Sequence, residues 1–197
     1  MTGGPASPGT PLDTFIPQFD IRERHSTMVR APAPAVFSAA NSFDLQSVGL
    51  IRAIIHLREM LLGSRHVARD PQPFLQEALA MGWGVLATEA DRLFIAGARC
   101  QPWEADVKFI PIPAAEFRSY HGTNEVKIAW TLEVEPMSAT SAKLSTETRA
   151  VASDAAARRR FLRYWRWARF GIVAIRWFML PAIRKEAERS WSSSAQR

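Results

Sequence analysis

A chain of 197 residues with 47% apolar side chains is long enough and apolar enough to bury one core, which excludes disorder throughout. Its net charge of +6 is concentrated, because Arg158, Arg159, Arg160, Arg163, Arg166, Arg169, Arg176 and Arg184 fall in one late stretch. A single cysteine, Cys100, excludes an internal disulfide and a cysteine metal cluster, and suits the reducing cytoplasm.

Residues 1–17 are rich in Gly, Pro, Ser and Thr and carry neither the basic nor the apolar region of a secretory signal, so they read as a flexible tail. From residue 19 to 31, Ile21, Glu23, His25, Thr27 and Val29 alternate with Arg22, Arg24, Ser26, Met28 and Arg30. That pattern predicts a first strand at a sheet edge. Pro32 and Pro34 break it, and Pro34 suits the first turn of a short helix ending near Asn41. Residues 45–62 place Leu50, Ile51, Ile54, Leu57 and Leu61 at spacings of three and four, which predicts an amphipathic helix ended near Gly63. Residues 64–73 read as loop and residues 73–81 as a further short helix.

Strands are expected over residues 84–89 and 92–99, with a looser one over 107–111. Val126, Ile128, Trp130, Leu132 and Val134 alternate with Lys127, Ala129, Thr131, Glu133 and Glu135, and residues 141–153 pair back after a turn at Pro136-Met137-Ser138. One face of this hairpin must be buried. Asp154 is a natural N-cap for a long helix running to about residue 189, in which Phe161, Trp165, Ala168, Ile172, Ile175 and Met179 share a sector of about 80°. Gly171 and Pro181 are expected points of bending. The apolar run over residues 170–183 is too short to span a bilayer and contains Arg176.

Pro17-Gln18-Phe19-Asp20 with Arg24-His25-Ser26, followed by Ala31-Pro32-Ala33-Pro34-Ala35-Val36, resembles the opening of START-like (Bet v 1-like) proteins of the polyketide cyclase/dehydrase and lipid-transport superfamily. Ser145-Thr146-Glu147-Thr148-Arg149 before Arg160-Phe161-Leu162-Arg163-Tyr164-Trp165 resembles the close of the same fold, in a bacterial branch. The resemblance covers residues 17–188. It implies an α+β helix-grip fold: a curved antiparallel sheet wrapped around a long C-terminal helix, with two or three short helices after the first strand. Residues 18–189 would form this one domain and residues 190–197 a second flexible tail. It also implies a cavity for a small hydrophobic or lipid-like ligand. No catalytic set of the superfamily matches these residues, so no active site is carried over.

Ile128, Trp130 and Leu132 on the sheet and Phe161, Trp165 and Ile172 on the helix are candidate cavity walls or plain core. Trp103 is a candidate cover for the cavity mouth, with loop packing as the alternative. Glu147 and Arg149 share a strand face, where they serve either as a polar anchor with His25 or Arg22 or as a cross-strand ion pair. Were the chain a cyclase or dehydratase, His25, Glu147 and Arg149 would have to meet in one pocket. The four histidines lack ligand spacing, so no metal is expected, and no cofactor motif appears. Basic residues interleaved with Trp in the last helix suit an anionic membrane surface or a homodimer contact, making a membrane-peripheral location the alternative to a plainly cytoplasmic one. Nucleic acid is not expected, because no recognition motif accompanies the charge.

Overall fold

The computed structural model describes residues 9–44 and 73–194. The amphipathic helix predicted over residues 45–62 lies outside them. Five strands form one antiparallel, curved and unclosed sheet: β1 (Ile21–Val29), β2 (Gly84–Glu89), β3 (Leu93–Cys100), β4 (Val126–Ser138) and β5 (Ser141–Ala152), in the order β1-β5-β4-β3-β2. Between β1 and β2 come α1 (Ala33–Ser42) and α2 (Phe74–Ala80), and α3 (Ala114–Phe117) precedes β4. The last helix, α4 (Ala155–Ser194), lies against the sheet. This is the expected α+β helix-grip arrangement.

Asp154 caps α4 as the sequence suggests, accepting from the Ala157 amide at 2.8 Å, and it also accepts from the Asn124 amide at 2.6 Å. These donors hold its carboxyl down at about 2. Neither Gly171 nor Pro181 breaks the helix, which continues beyond residue 189 to Ser194. Pro181 is exposed and one turn from Trp177, itself exposed, so the backbone acceptor it leaves unpaired faces solvent. The hairpin reverses at Ala139-Thr140 instead of at residues 136–138, and an irregular register at Pro136 and Ser138 absorbs the missing proline donor. The looser strand at 107–111 reduces to a single bridge between Ile110 and Arg99.

Residues 9–17 differ most from expectation. They are not a free tail: Pro11–Asp13 form a 3-10 turn, and Leu12 and Ile16 are fully buried with Phe15 beside them. The reason lies in β3, which is buried on both faces. Leu93 and Ile95 point away from α4, and with Leu86 and Ala129 they make an outer apolar face that must be covered. Leu12, Phe15 and Ile16 cover it together with Ile112 and Phe117.

Phe117 packs edge-on to Phe15 and directly over Gly97. A β-carbon at Gly97 would stand 2.5 Å from a Phe117 ring carbon and 2.6 Å from Leu86 Cδ1. Gly97→Ala is therefore expected to cost about 1–3 kcal/mol through overpacking. Urea denaturation measures it; an unchanged midpoint would show that the ring moves aside freely.

Candidate functional site

Strand alternation assigns each candidate to a face. Pairing sets Glu23 beside Thr148 and Trp130, and His25 beside Thr146 and Leu132, so these residues share the surface turned to α4. Two apolar clusters lie between this surface and α4. One joins Trp130, Leu132, Val134 and Leu144 to Met179, Leu180 and Ile183 of α4 and to α1. The other joins Ile21, Val126 and Ala150 to Phe161, Tyr164 and Ala168, with Ile128, Trp103, Trp165 and Ile172 partly buried against it. Six of the predicted wall residues thus divide between two clusters: Trp130 and Leu132 in one, Ile128, Phe161, Trp165 and Ile172 in the other.

A polar group separates the clusters. Ile21 and Val29 at the ends of β1 belong one to each cluster, while Glu23 and His25 occupy the middle. On α4, Arg176 falls between Ile172 and Met179 and donates through Nη2 to Thr148 Oγ1. Its other terminal nitrogen, Nη1, is buried without a hydrogen-bond partner. Burial pulls the Arg176 guanidinium down to about 10, opposed in part by the Glu23 carboxylate. His25 Nε2 is likewise buried and unpartnered, 3.7 Å from Glu23 Oε2. Burial, reinforced by the Arg176 charge and opposed by the Glu23 carboxylate, lowers the His25 pKa below its ordinary value. Trp103 Nε1 is a third buried nitrogen without a hydrogen-bond partner.

Glu147 and Arg149 do not join this group. They point from the opposite face of the sheet, where residues 9–17 bury them to 3% and 2% exposure. Arg149 donates to Glu147 Oε1 at 2.7 Å, to Asp13 Oδ1 at 2.6 Å, to the Ile16 carbonyl at 2.8 Å and to Thr10 Oγ1 at 2.7 Å. Glu147 also accepts from Arg22 Nε at 2.8 Å. The pair is therefore a buried fastener for the N-terminal segment. With the sheet between His25 and the other two, these three side chains cannot pass a proton among themselves.

A surface cleft of about 220 Å³ also lies on this outer side, bounded by Phe15, Ile16, Tyr120, His121, Lys127 and Val151. None of the predicted site residues lines it. Three of its polar groups are turned to structural partners: the Tyr120 hydroxyl donates to Glu125 at 2.7 Å, the same carboxylate accepts from Arg99 at 2.8 Å, and Lys127 Nζ donates to the carbonyls of Phe117, Arg118 and Tyr120. Among the described residues no cluster of three or more His, Cys, Asp or Glu could hold a metal ion. No helix among them is long and apolar enough to cross a membrane.

Arg176, Glu23, Thr146 and Thr148 were not among the sequence candidates. The available signal was Arg176 itself, a lone charge within an apolar helical run, and the polar β1 positions that share a face with it.

No family model matches the chain, and no curated protein does. Among solved structures it is similar to a conserved protein from Geobacillus kaustophilus (10% identity, 88% of this chain and 97% of that one, TM-score 0.38). It is also similar to the di-domain ARO/CYC protein BexL of the BE-7585A biosynthetic pathway (14%, 85% and 46%, 0.31). A hypothetical protein from Helicobacter pylori is a third (10%, 88% and 98%, 0.34). The chain spans less than half of BexL.

Proposed function

We propose that the chain is a START-like domain that binds a small, mainly apolar or lipid-like molecule between the sheet and α4, with an acidic or hydrogen-bond-accepting end of the ligand meeting Arg176 and His25. The observation that carries this reading is the pair of buried, unpartnered nitrogens set between two apolar clusters. A guanidinium nitrogen held away from water without an acceptor is costly, and a ligand oxygen removes that cost. Both nitrogens are closed off from solvent, so a ligand reaches them only after a local opening. Apolar contact with Ile128, Trp130, Phe161 and Ile172 would supply the remaining affinity, at about 25 cal/mol for each Å² buried.

The test is a titration of tryptophan fluorescence with dodecanoic acid and with dodecanol. The acid is expected to bind more tightly, and Arg176→Met to weaken the acid by about tenfold or more and the alcohol by less, since hydrogen bonds between charged groups contribute more than those to a neutral acceptor, about 1.5–3 kcal/mol. Equal affinities for acid and alcohol in both proteins would remove the role given to Arg176. Failure of both compounds to bind would remove the carrier reading.

A further inference from the structure

The side of α4 turned away from the sheet has no cover among the described residues. Phe170 and Trp177 are 65% and 67% exposed, and Trp167 and Phe178 are exposed as well. At 100° per residue these four fall within a sector of about 100°, with Ala174 between them. The same sector carries Arg159, Arg160 and Arg163 before the aromatic stretch and Lys185 after it. From Ala155 to Lys185 the helix contains no Asp or Glu at all. Arg159, Arg163 and Arg166 make no ion pair among the described residues, and Arg169 lies over the Phe170 ring at 4.9 Å. The result is an aromatic band preceded by unneutralised arginines, with Lys185 beyond it next to Glu186 and Glu188.

We infer that this face of α4 docks in the plane of an anionic lipid bilayer. Aromatic side chains of this size suit the boundary between head groups and acyl chains, and the arginines before them, with Lys185 beyond, reach lipid phosphates while their stems stay in apolar contact. A second copy of the chain fits the face less well. Two-fold pairing centred on this band brings identical rings together with no Asp or Glu between Ala155 and Lys185 to neutralise the arginines. The inference does not depend on the internal site, since none of these residues belongs to the group around Arg176.

The experiment is co-sedimentation of the full chain with vesicles of phosphatidylcholine alone and of phosphatidylcholine with phosphatidylglycerol. Binding is expected to the anionic vesicles only, to fall as salt is raised, and to shift tryptophan emission to the blue. The double variant Phe170→Ser, Trp177→Ser removes two exposed rings, so its fold is expected to survive, as circular dichroism would show. Its vesicle affinity is expected to fall by about tenfold or more. Reversing charge in Arg163→Glu, Arg166→Glu is expected to abolish binding at moderate salt. Absence of sedimentation with anionic vesicles at low salt would overturn the inference. So would equal binding by the aromatic variant while folded, or a tight dimer or duplex-DNA complex formed through this face without vesicle binding.

Discussion

Deleting residues 1–17 is expected to cost this domain a large part of its stability, on the order of 5 kcal/mol, against a usual margin of about 5–15 kcal/mol. Leu12, Phe15 and Ile16 are almost completely buried, and withdrawing such side chains from a core costs about 1.5–3 kcal/mol each. Two further effects add to this. Leu86, Leu93, Ile95 and Phe117 lose their cover, which leaves an apolar face open on the outer side of the sheet. Arg149 loses Thr10, Asp13 and the Ile16 carbonyl together. The truncated chain should therefore unfold at much lower urea, bind anilinonaphthalene sulfonate in its folded state, and associate as concentration rises. A truncated chain that unfolds at the same urea concentration as the full one would show that residues 9–17 merely rest on the sheet.

Composition misleads at the N-terminal segment for a physical reason. Its Gly, Pro, Ser and Thr suggest a chain that cannot bury enough surface to fold, and that inference averages over a segment whose few apolar residues sit together as Leu12, Phe15 and Ile16. The correcting signal was elsewhere. Leu93, Phe94, Ile95 and Ala96 are consecutive apolar residues, which is the pattern of a strand buried on both faces, whereas β4 and β5 drew attention as alternating strands with one face in the core. A second buried face needs a cover that the helix-grip order of elements does not itself supply. By contrast, the edge position of β1, the cap at Asp154 and the inward stripe of α4 depend on neighbouring residues, and all three were legible. The polar site was legible only in pieces. Spacing placed Glu147 and Arg149 on one face, but which face turns to α4 is a matter of register across β1, β5 and β4, and that is a long-range property. Arg176 was visible as a charge inside an apolar run, yet its partner Thr148 is 28 residues earlier in the chain.

Arg149→Met is expected to lower stability by about 3 kcal/mol, the lower part of the range for breaking a buried ion pair, because Arg22 still faces Glu147 after the change. The geometry also predicts that Arg149→Lys will not rescue the loss. The native guanidinium serves Glu147 from Nε, Asp13 and the Ile16 carbonyl from Nη1, and Thr10 from Nη2, whereas an ammonium presents one compact charge that cannot span those directions. The pH dependence gives a separate reading of the same contact. Asp13 is held below its ordinary value of 3.8, first by the hydrogen bond from Arg149 and next by the Thr10 amide. A carboxylate with a depressed folded pKa contributes stability that is present above its unfolded value and is lost as pH falls through the folded one. The difference between native protein and Arg149→Met should therefore shrink as pH is lowered through and below about 3.8, since Asp13 then takes up its proton in both. Carboxyl titration followed by NMR should find the Asp13 midpoint raised toward 3.8 in the variant. A variant that keeps the depressed midpoint and full stability would mean that Thr10 and the apolar contacts hold the segment without Arg149.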